Sequence, residues 1–325
     1  MTPTARPDVS IILATRNRAA SLRQALERLA HQDTGGRFTY DVLVIDNNST
    51  DATRSVVTEL ARVFPVPLRY VHESTAGKSF ALNAGLRRAA GSVLAMTDDD
   101  VLPEPGWLAG LWSCLTQENA DAVTGRMLPK WDAPLPAWMT QEMARDVNRL
   151  GIGCVDHGAE RRRSWERQDC RWVGGNLAIR RDAAQRVGFF NTRLARGQDS
   201  DYYDRCLQRG LRVAYEPSAM ARHRIDAARL TVPAFRRWRR RQGYYEASLL
   251  PWKPTHLFTI MPLWRVRLTI TRIGRWLSAV LTRRSAWERF RCELKVWEEV
   301  GAWGQRLSRW PSGVRAVLAG RSSAP

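Results

Sequence analysis

Ser92-Val-Leu-Ala-Met-Thr97 runs directly into Asp98-Asp-Asp100. The apolar run has strand length and lacks polar alternation, so it reads as a strand covered on both faces. It ends on three consecutive carboxylates. Such groups repel one another unless a cation neutralises them. Hard divalent cations such as Mg2+ or Mn2+ take oxygen ligands and often share their shell with substrate phosphates. An exposed acidic turn before Pro103 would explain the same letters.

Working outward, the chain alternates. Val9–Ala14 and Asp41–Ile45 read as buried strands, and Leu68–Val71 as a third. Between them, Ala19–His31 carries Leu22, Leu26 and Leu29 at helical spacing, and Ala52–Val63 follows a turn at Asp46–Asp51. Gly77–Ala90 reads as a third helix. Strands alternating with helices predict an α/β fold with a largely parallel sheet. Ligands in such sheets bind at the carboxyl ends of strands. Thr15–Arg18, Asp46 and Asp98–Asp100 all fall there. The residues after Asp46 also read as a plain helix cap supplied by Asn48 or Ser49.

Further along, Gly77-Lys78-Ser79 opens a helix, but His72 stands where a phosphate-binding P-loop needs glycine. Lys78 is left as a phosphate contact or an exposed lysine. Gln198-Asp199-Ser200-Asp201 begins another helix. Its carboxylates either favour the helix N-terminus or supply a general base. His223, between Arg222 and Arg224, is a surface residue or a metal ligand. From Arg126 to Arg171 the periodicity fades, which predicts a long, mobile substrate-side loop. Val213–Tyr215 and Met220–His223 read as two short extended pieces.

The chain has 325 residues, enough for one large domain with an accessory segment, and a net charge of +19. From Thr231 onward it carries 19 Lys and Arg against five acidic residues, and eight of the 14 tryptophans. That balance calls for an acidic partner: nucleic acid, an anionic membrane or phosphorylated substrates. In the C-terminal third, Val266, Ile270, Ile273, Leu277, Val280 and Leu281 share one helical face. Arg267, Arg272, Arg275 and Arg283 lie opposite, with Trp276 at the boundary. The apolar face either packs on the body or meets a membrane surface. Cys114, Cys154, Cys170, Cys206 and Cys292 show no paired spacing, which fits a reducing compartment. No signal peptide is visible at the N-terminus. Lys253 and Arg265 stop the best apolar stretch, Pro254–Trp264, on either side, so no spanning helix is expected.

Together, Val9–Arg18, Tyr40–Asp51, Gly77–Leu86, Val93–Leu108 and Val173–Pro217 resemble a family 2 glycosyltransferase of the GT-A fold. The resemblance covers roughly residues 8 to 225. It implies a nucleotide-sugar-binding domain over residues 1–230 and leaves 231–325 as a helical, basic, Trp-rich extension. By the resemblance, Thr15, Asn17, Arg18, Asp46, Lys78, Asp98 and Asp99 bind the nucleotide-sugar. Asp98-Asp99-Asp100 matches the D-x-D position, with Asp100, Asp98 and His223 holding Mn2+ or Mg2+. Asp199 matches the catalytic base, although Gln198 stands where the family usually has Glu. Gly174, Gly175 and Asn176 match the turn beside the acceptor, and Trp131 and Trp138 are expected on the same side. Processive members carry Gln-x-x-Arg-Trp. The nearest segment here, Phe235–Gln242, does not match, so single addition is expected. The reaction implied is inverting transfer to a glycan or lipid-linked acceptor in cell-surface polysaccharide synthesis. A polyprenyl phosphate acceptor is the alternative. Nucleic acid is not expected as a partner. A cytoplasmic location, peripheral at the inner face of the membrane, is.

Overall fold

The computed structural model describes residues 6–164, 172–194, 196–248 and 261–318. The chain divides into two compact units. The first comprises Met1–Lys130 and Ile152–Arg224, the second Trp131–Gly151 and Ile225–Pro325. A single division after residue 230 leaves out this exchange, in which Trp131–Gly151 groups with the C-terminal helices.

The first unit begins as the alternation predicts: β1 (Val9–Thr15), α1 (Ala19–Ala30), β2 (Tyr40–Asp46), α2 (Thr53–Leu60), β3 (Leu68–His72), α3 (Lys78–Arg88) and β4 (Val93–Asp98). Then come β5 (Val101–Pro103), α4 (Trp107–Gln117), β6 (Ala122–Trp131), α5 (Gln141–Arg145), α6 (Val147–Leu150), β7 (Arg162–Arg163), β8 (Asn176–Arg180), α7 (Arg181–Val187), α8 (Gln198–Gln208) and β9 (Val213–Ile225). Helices α5 and α6 belong to the second unit. Among the described residues the strands form one sheet in the order β3-β2-β1-β4-β8-β6-β9-β5, with β7 paired to β9. Strands β1 to β4 pair in parallel. From β8 onward the pairings with stated direction are antiparallel. The sheet is thus mixed, with its parallel half where the apolar runs predicted it.

Every residue of β2 is buried, as a strand with helices on both faces requires. Asp51 ties two helix starts together. Its carboxylate accepts from the first backbone N–H of α1, Ala19, at 3.0 Å and from that of α2, Thr53, at 3.0 Å. Asp51, one residue before the N-cap position Ala52, therefore engages the start of α2, rather than Asn48 or Ser49. Ser49 Oγ instead accepts from Asn17 N.

Residues 126–164 are not a featureless loop. Strand β6 runs to Trp131, α5 and α6 follow, and Met127 pairs with Val155. Residues 165–171 lie outside the described residues, as do Cys170 and most of Pro254–Trp264. The cysteines Cys114, Cys154, Cys206 and Cys292 are free thiols. Likewise, β9 is one strand of 13 residues and not two pieces. Glu216 Oε1 takes up the Ser218 N–H across Pro217, so the strand passes the proline with its polar groups engaged.

In the second unit, α9 (Val232–Ser248), α10 (Leu263–Leu281) and α11 (Ala286–Leu318) complete the chain. The α9–α11 crossing is set by glycine. Gly243 lies against the Glu298 backbone and Gly301 against that of Arg240, and a Cβ at either would overlap a carbonyl oxygen. Gly243→Ala would gain about 1 kcal/mol of helix propensity. Overpacking against backbone that cannot give way costs about 3 kcal/mol or more. Net destabilisation is therefore expected, read as a lower urea midpoint. An unchanged midpoint would show that the helices can separate freely.

Buried charge fixes the register of α10 on α11. Glu298 lies 3.0 Å from Arg272 and 3.0 Å from Lys295. Glu299 bonds Arg265 at 3.3 Å, Thr269 Oγ1 at 2.9 Å and Arg272. Such networks add little net stability but penalise misregister, because breaking one strands a buried charge. No helix of the described residues is long and apolar enough to cross a membrane.

Candidate active site

Three parallel strands end side by side. In register, Thr15 pairs with Asp46 and Ala14 with Asp98. This brings the sequence-predicted Thr15, Asp46 and Asp98–Asp100 to one end of the sheet. The surface depression lined by Arg6, Asp8, Ser92, Arg181 and Asp182 lies at the opposite strand ends and contains none of them.

The acidic triplet is neutralised by side chains from three other segments. Lys78 Nζ, at the start of α3, sits 2.6 Å from Asp98 Oδ1. Arg18 Nη1 donates to Asp99 Oδ1 at 3.0 Å and to Asp100 Oδ2 at 2.7 Å. Thr15 Oγ1 donates to Asp99 Oδ2 at 2.7 Å. Asp99 is only 5% exposed, which excludes a solvated acidic turn. Burial pushes its carboxyl up to about 6; the Arg18 charge opposes this and the Asp100 charge adds to it. Burial acts the same way on Asp100, but the hydrogen bond and charge of His223, then Arg18, outweigh it. They hold Asp100 well below the usual carboxylate range.

His223 is buried in β9, pairing with Val101. Its Nε2 lies 3.5 Å from Asp100 Oδ2, so it is not a surface residue. The two side chains offer one oxygen and one nitrogen donor. Among the described residues no three His, Cys, Asp or Glu side chains gather closely enough to cage a metal alone. The donor chemistry fits an ion that completes its shell with phosphate oxygens and water, as Mg2+ commonly does.

Asp199 sits in the first turn of α8, where a carboxylate favours the helix N-terminus. The Gly174 N–H donates to its Oδ2 at 3.2 Å, and Trp172 Nε1 donates to its backbone carbonyl at 2.8 Å. Trp172 was not foreseen from the sequence; its signal was its place two residues before the Gly174-Gly175 turn. Gly175 is needed for space, because a Cβ there would lie 2.9 Å from Asp98 Oδ2 and 3.0 Å from Val101 Cγ2. Gly175→Ala is expected to push Asp98 aside and lower kcat/KM roughly tenfold to a hundredfold. It should also cost about 1–3 kcal/mol of stability. Steady-state kinetics and urea unfolding check this, and wild-type values in both would show that Asp98 has room to spare.

Asp46 is 2% exposed and accepts from Ser49 N at 2.9 Å and Tyr70 Oη at 2.6 Å. Tyr70, also unforeseen, has its hydroxyl pushed up to about 12 by burial, then by its bond to Asp46 and that residue's charge. Asn17, at φ 52°, holds the first loop to the second by accepting from Thr50 N at 2.7 Å. Its side chain oxygen is thus spent on loop geometry.

One acceptor-side expectation needs correction. Asn176 is fully buried. It accepts from Trp107 Nε1 at 2.8 Å and donates to the Arg126 and Ala219 carbonyls. It braces the sheet behind the turn and presents no surface to an acceptor. Trp131 and Trp138 fall in the second unit, and the Trp138 ring packs edge-on against Phe235 and Phe290. That ring is engaged in an aromatic cluster.

Comparison with known proteins fits this geometry. The pre-mycofactocin glycosyltransferase of Mycobacterium tuberculosis is 25% identical over 97% of this chain and 67% of its own. The glucosyl-dolichyl phosphate glucuronosyltransferase of Haloferax volcanii is 28% identical over 67% of this chain and 69% of its own. Among solved structures, the mannosyltransferase PcManGT from Pyrobaculum calidifontis, in complex with GDP-Man and Mn2+, superposes with a TM-score of 0.55. It shares 22% identity and covers 98% of this chain and 77% of its own, which establishes the GT-A fold. The family model for glycosyl transferase family 2 matches residues 10–188, more than half of the chain. With the strand-end carboxylates, the cations that face them and Asp199 all carried by one unit, the chain belongs to glycosyl transferase family 2.

Proposed function

We propose that the enzyme transfers a single sugar, with inversion, from a nucleotide-diphosphate donor to a glycan or lipid-linked acceptor, and that it depends on a divalent cation. The observation that carries this reading is the acidic triplet held by Lys78, Arg18 and His223 at the strand ends. Thr15, Arg18, Asp46 and Lys78 would bind the nucleotide and diphosphate. Donor phosphates would offer Lys78 and Arg18 a new partner and so leave carboxylate oxygens available as ligands. Asp100 and His223 would hold Mn2+ or Mg2+, with donor phosphates and water completing the shell; Asp98, also expected as a ligand, is instead paired with Lys78. The ion would act as a Lewis acid on the departing diphosphate.

The remaining chemistry belongs to the chain. Asp199 would take the acceptor hydroxyl proton as that oxygen attacks the anomeric carbon. A single displacement with one base inverts the configuration. A lipid-linked acceptor is supported by the Haloferax relative, whose name specifies glucosyl-dolichyl phosphate. The test is a panel of nucleotide-sugars with Mn2+ or Mg2+. Metal-dependent release of a nucleoside diphosphate from one donor is the expected result. Absence of both turnover and metal-dependent binding for every donor would overturn the reading.

A further inference from the structure

Helix α10 turns an apolar stripe outward. Leu263, Ile270, Ile273, Leu277 and Leu281 recur at intervals of three, four and seven and so share one face. All are exposed, Ile270 by 67% and Leu281 by 80%. The packed side of this helix is largely polar, although Val266 also packs inward, against Ala247, Met261 and Ala302. Arg265, Thr269 and Arg272 bond the carboxylates of α11, and Ala279 is buried. Scattered exposed aliphatics are ordinary, but a continuous stripe marks an interaction surface.

Charge identifies the occupant. All five acidic residues after Thr231 are already matched inside this unit. Glu246 and Glu299 face Arg265, Glu288 faces Arg284, Glu293 faces Arg236, and Glu298 faces Lys295 and Arg272. Arg267 and Arg275 remain exposed on α10, as do Trp264 and, just past the helix end, Arg283. The outward surface therefore combines aliphatic groups with unscreened positive charge and one exposed indole. A second copy of the chain would bring the same cationic rim against itself, which costs free energy. An anionic lipid surface matches every part. Acyl chains take the aliphatic stripe, headgroup phosphates take the arginines, and the indole suits the boundary.

The geometry points to α10 as a docking helix that lies in the headgroup plane of an anionic bilayer. This does not depend on which sugar or acceptor the enzyme uses. The full chain is sedimented with vesicles of phosphatidylcholine containing roughly 30% phosphatidylglycerol, and with pure phosphatidylcholine vesicles. Partitioning to the anionic vesicles is expected to be at least about tenfold stronger, and to weaken with salt. The double variant Ile270→Ser/Leu277→Ser should lose roughly tenfold or more. Arg267→Gln and Arg275→Gln should each lose about fivefold. These side chains are exposed, so circular dichroism melting should match wild type and separate lost docking from lost folding. Failure of the wild type to sediment with anionic vesicles would overturn the proposal. So would equal sedimentation of the double variant, or a dimer in light scattering that this variant dissolves.

Discussion

Asp199→Asn is expected to lower kcat for sugar transfer by about 10²–10⁴-fold, the range a positioned general base contributes. Asparagine keeps the shape of the side chain and can still accept from the Gly174 N–H that meets Asp199 at 3.2 Å. The Trp172 bond goes to the backbone carbonyl and is untouched by the change. The first turn of α8 should therefore stay in place, and only proton acceptance is lost. Donor affinity, measured by calorimetry with Mn2+ present, should change by less than about threefold, because the lost interaction acts in the transition state. Combined loss of kcat and of donor affinity would make Asp199 a donor-binding residue. A kcat within tenfold of wild type would remove it from the mechanism.

Much of this site was legible in the sequence because strand ends are legible. Val9–Ala14 and Asp41–Ile45 fall inside β1 and β2. Once those strands are parallel neighbours, Thr15, Asp46 and Asp98 must converge. What could not be read were the partners. Tyr70 reaches Asp46 from β3, and Trp172 reaches Asp199 across 27 residues; both contacts exist only after the chain folds. Asn176 shows the opposite failure. Its position in a matching motif suggested surface chemistry, whereas its amide is consumed by Trp107 and two carbonyls. The stretch from Arg126 lost its signal because Pro129 falls within β6, Pro134 and Pro136 follow it, and the next helices are only five and four residues long. Periodicity needs more turns than that to register.

The C-terminal helices teach a related point. The amphipathic pattern of α10 was visible, but a pattern gives the faces of a helix and not which face is covered. Glu298 and Glu299 on α11 decide the matter. Buried carboxylates must be paired, so they draw Arg265 and Arg272 inward and leave the aliphatic stripe outside. Arg272, read as part of an outer basic face, is mostly buried with 18% of its side chain exposed.

Asp100→Ala should abolish the metal-dependent part of donor binding and lower transfer by about 10²–10³-fold, as loss of one group that stabilises developing charge does elsewhere. The two adjacent carboxylates differ in their surroundings. Asp99 is buried, bonded to Thr15 and Arg18, and burial raises its carboxyl to about 6. Asp100 faces His223 and Arg18, which keep it ionised. An ionised carboxylate beside a nitrogen donor is the better metal ligand of the two. Calorimetry separates the contributions. Wild-type protein should bind the donor more tightly with Mn2+ than without it, and Asp100→Ala should bind equally weakly in both. His223→Ala should lose part of the Mn2+ increment, because it removes one donor and leaves the charge. Circular dichroism must first show each variant folded, since removing Asp100 also removes a partner of Arg18. If Asp100→Ala keeps the full Mn2+ increment, the metal is held elsewhere, and Lys78 and Arg18 become the groups that stabilise the leaving diphosphate.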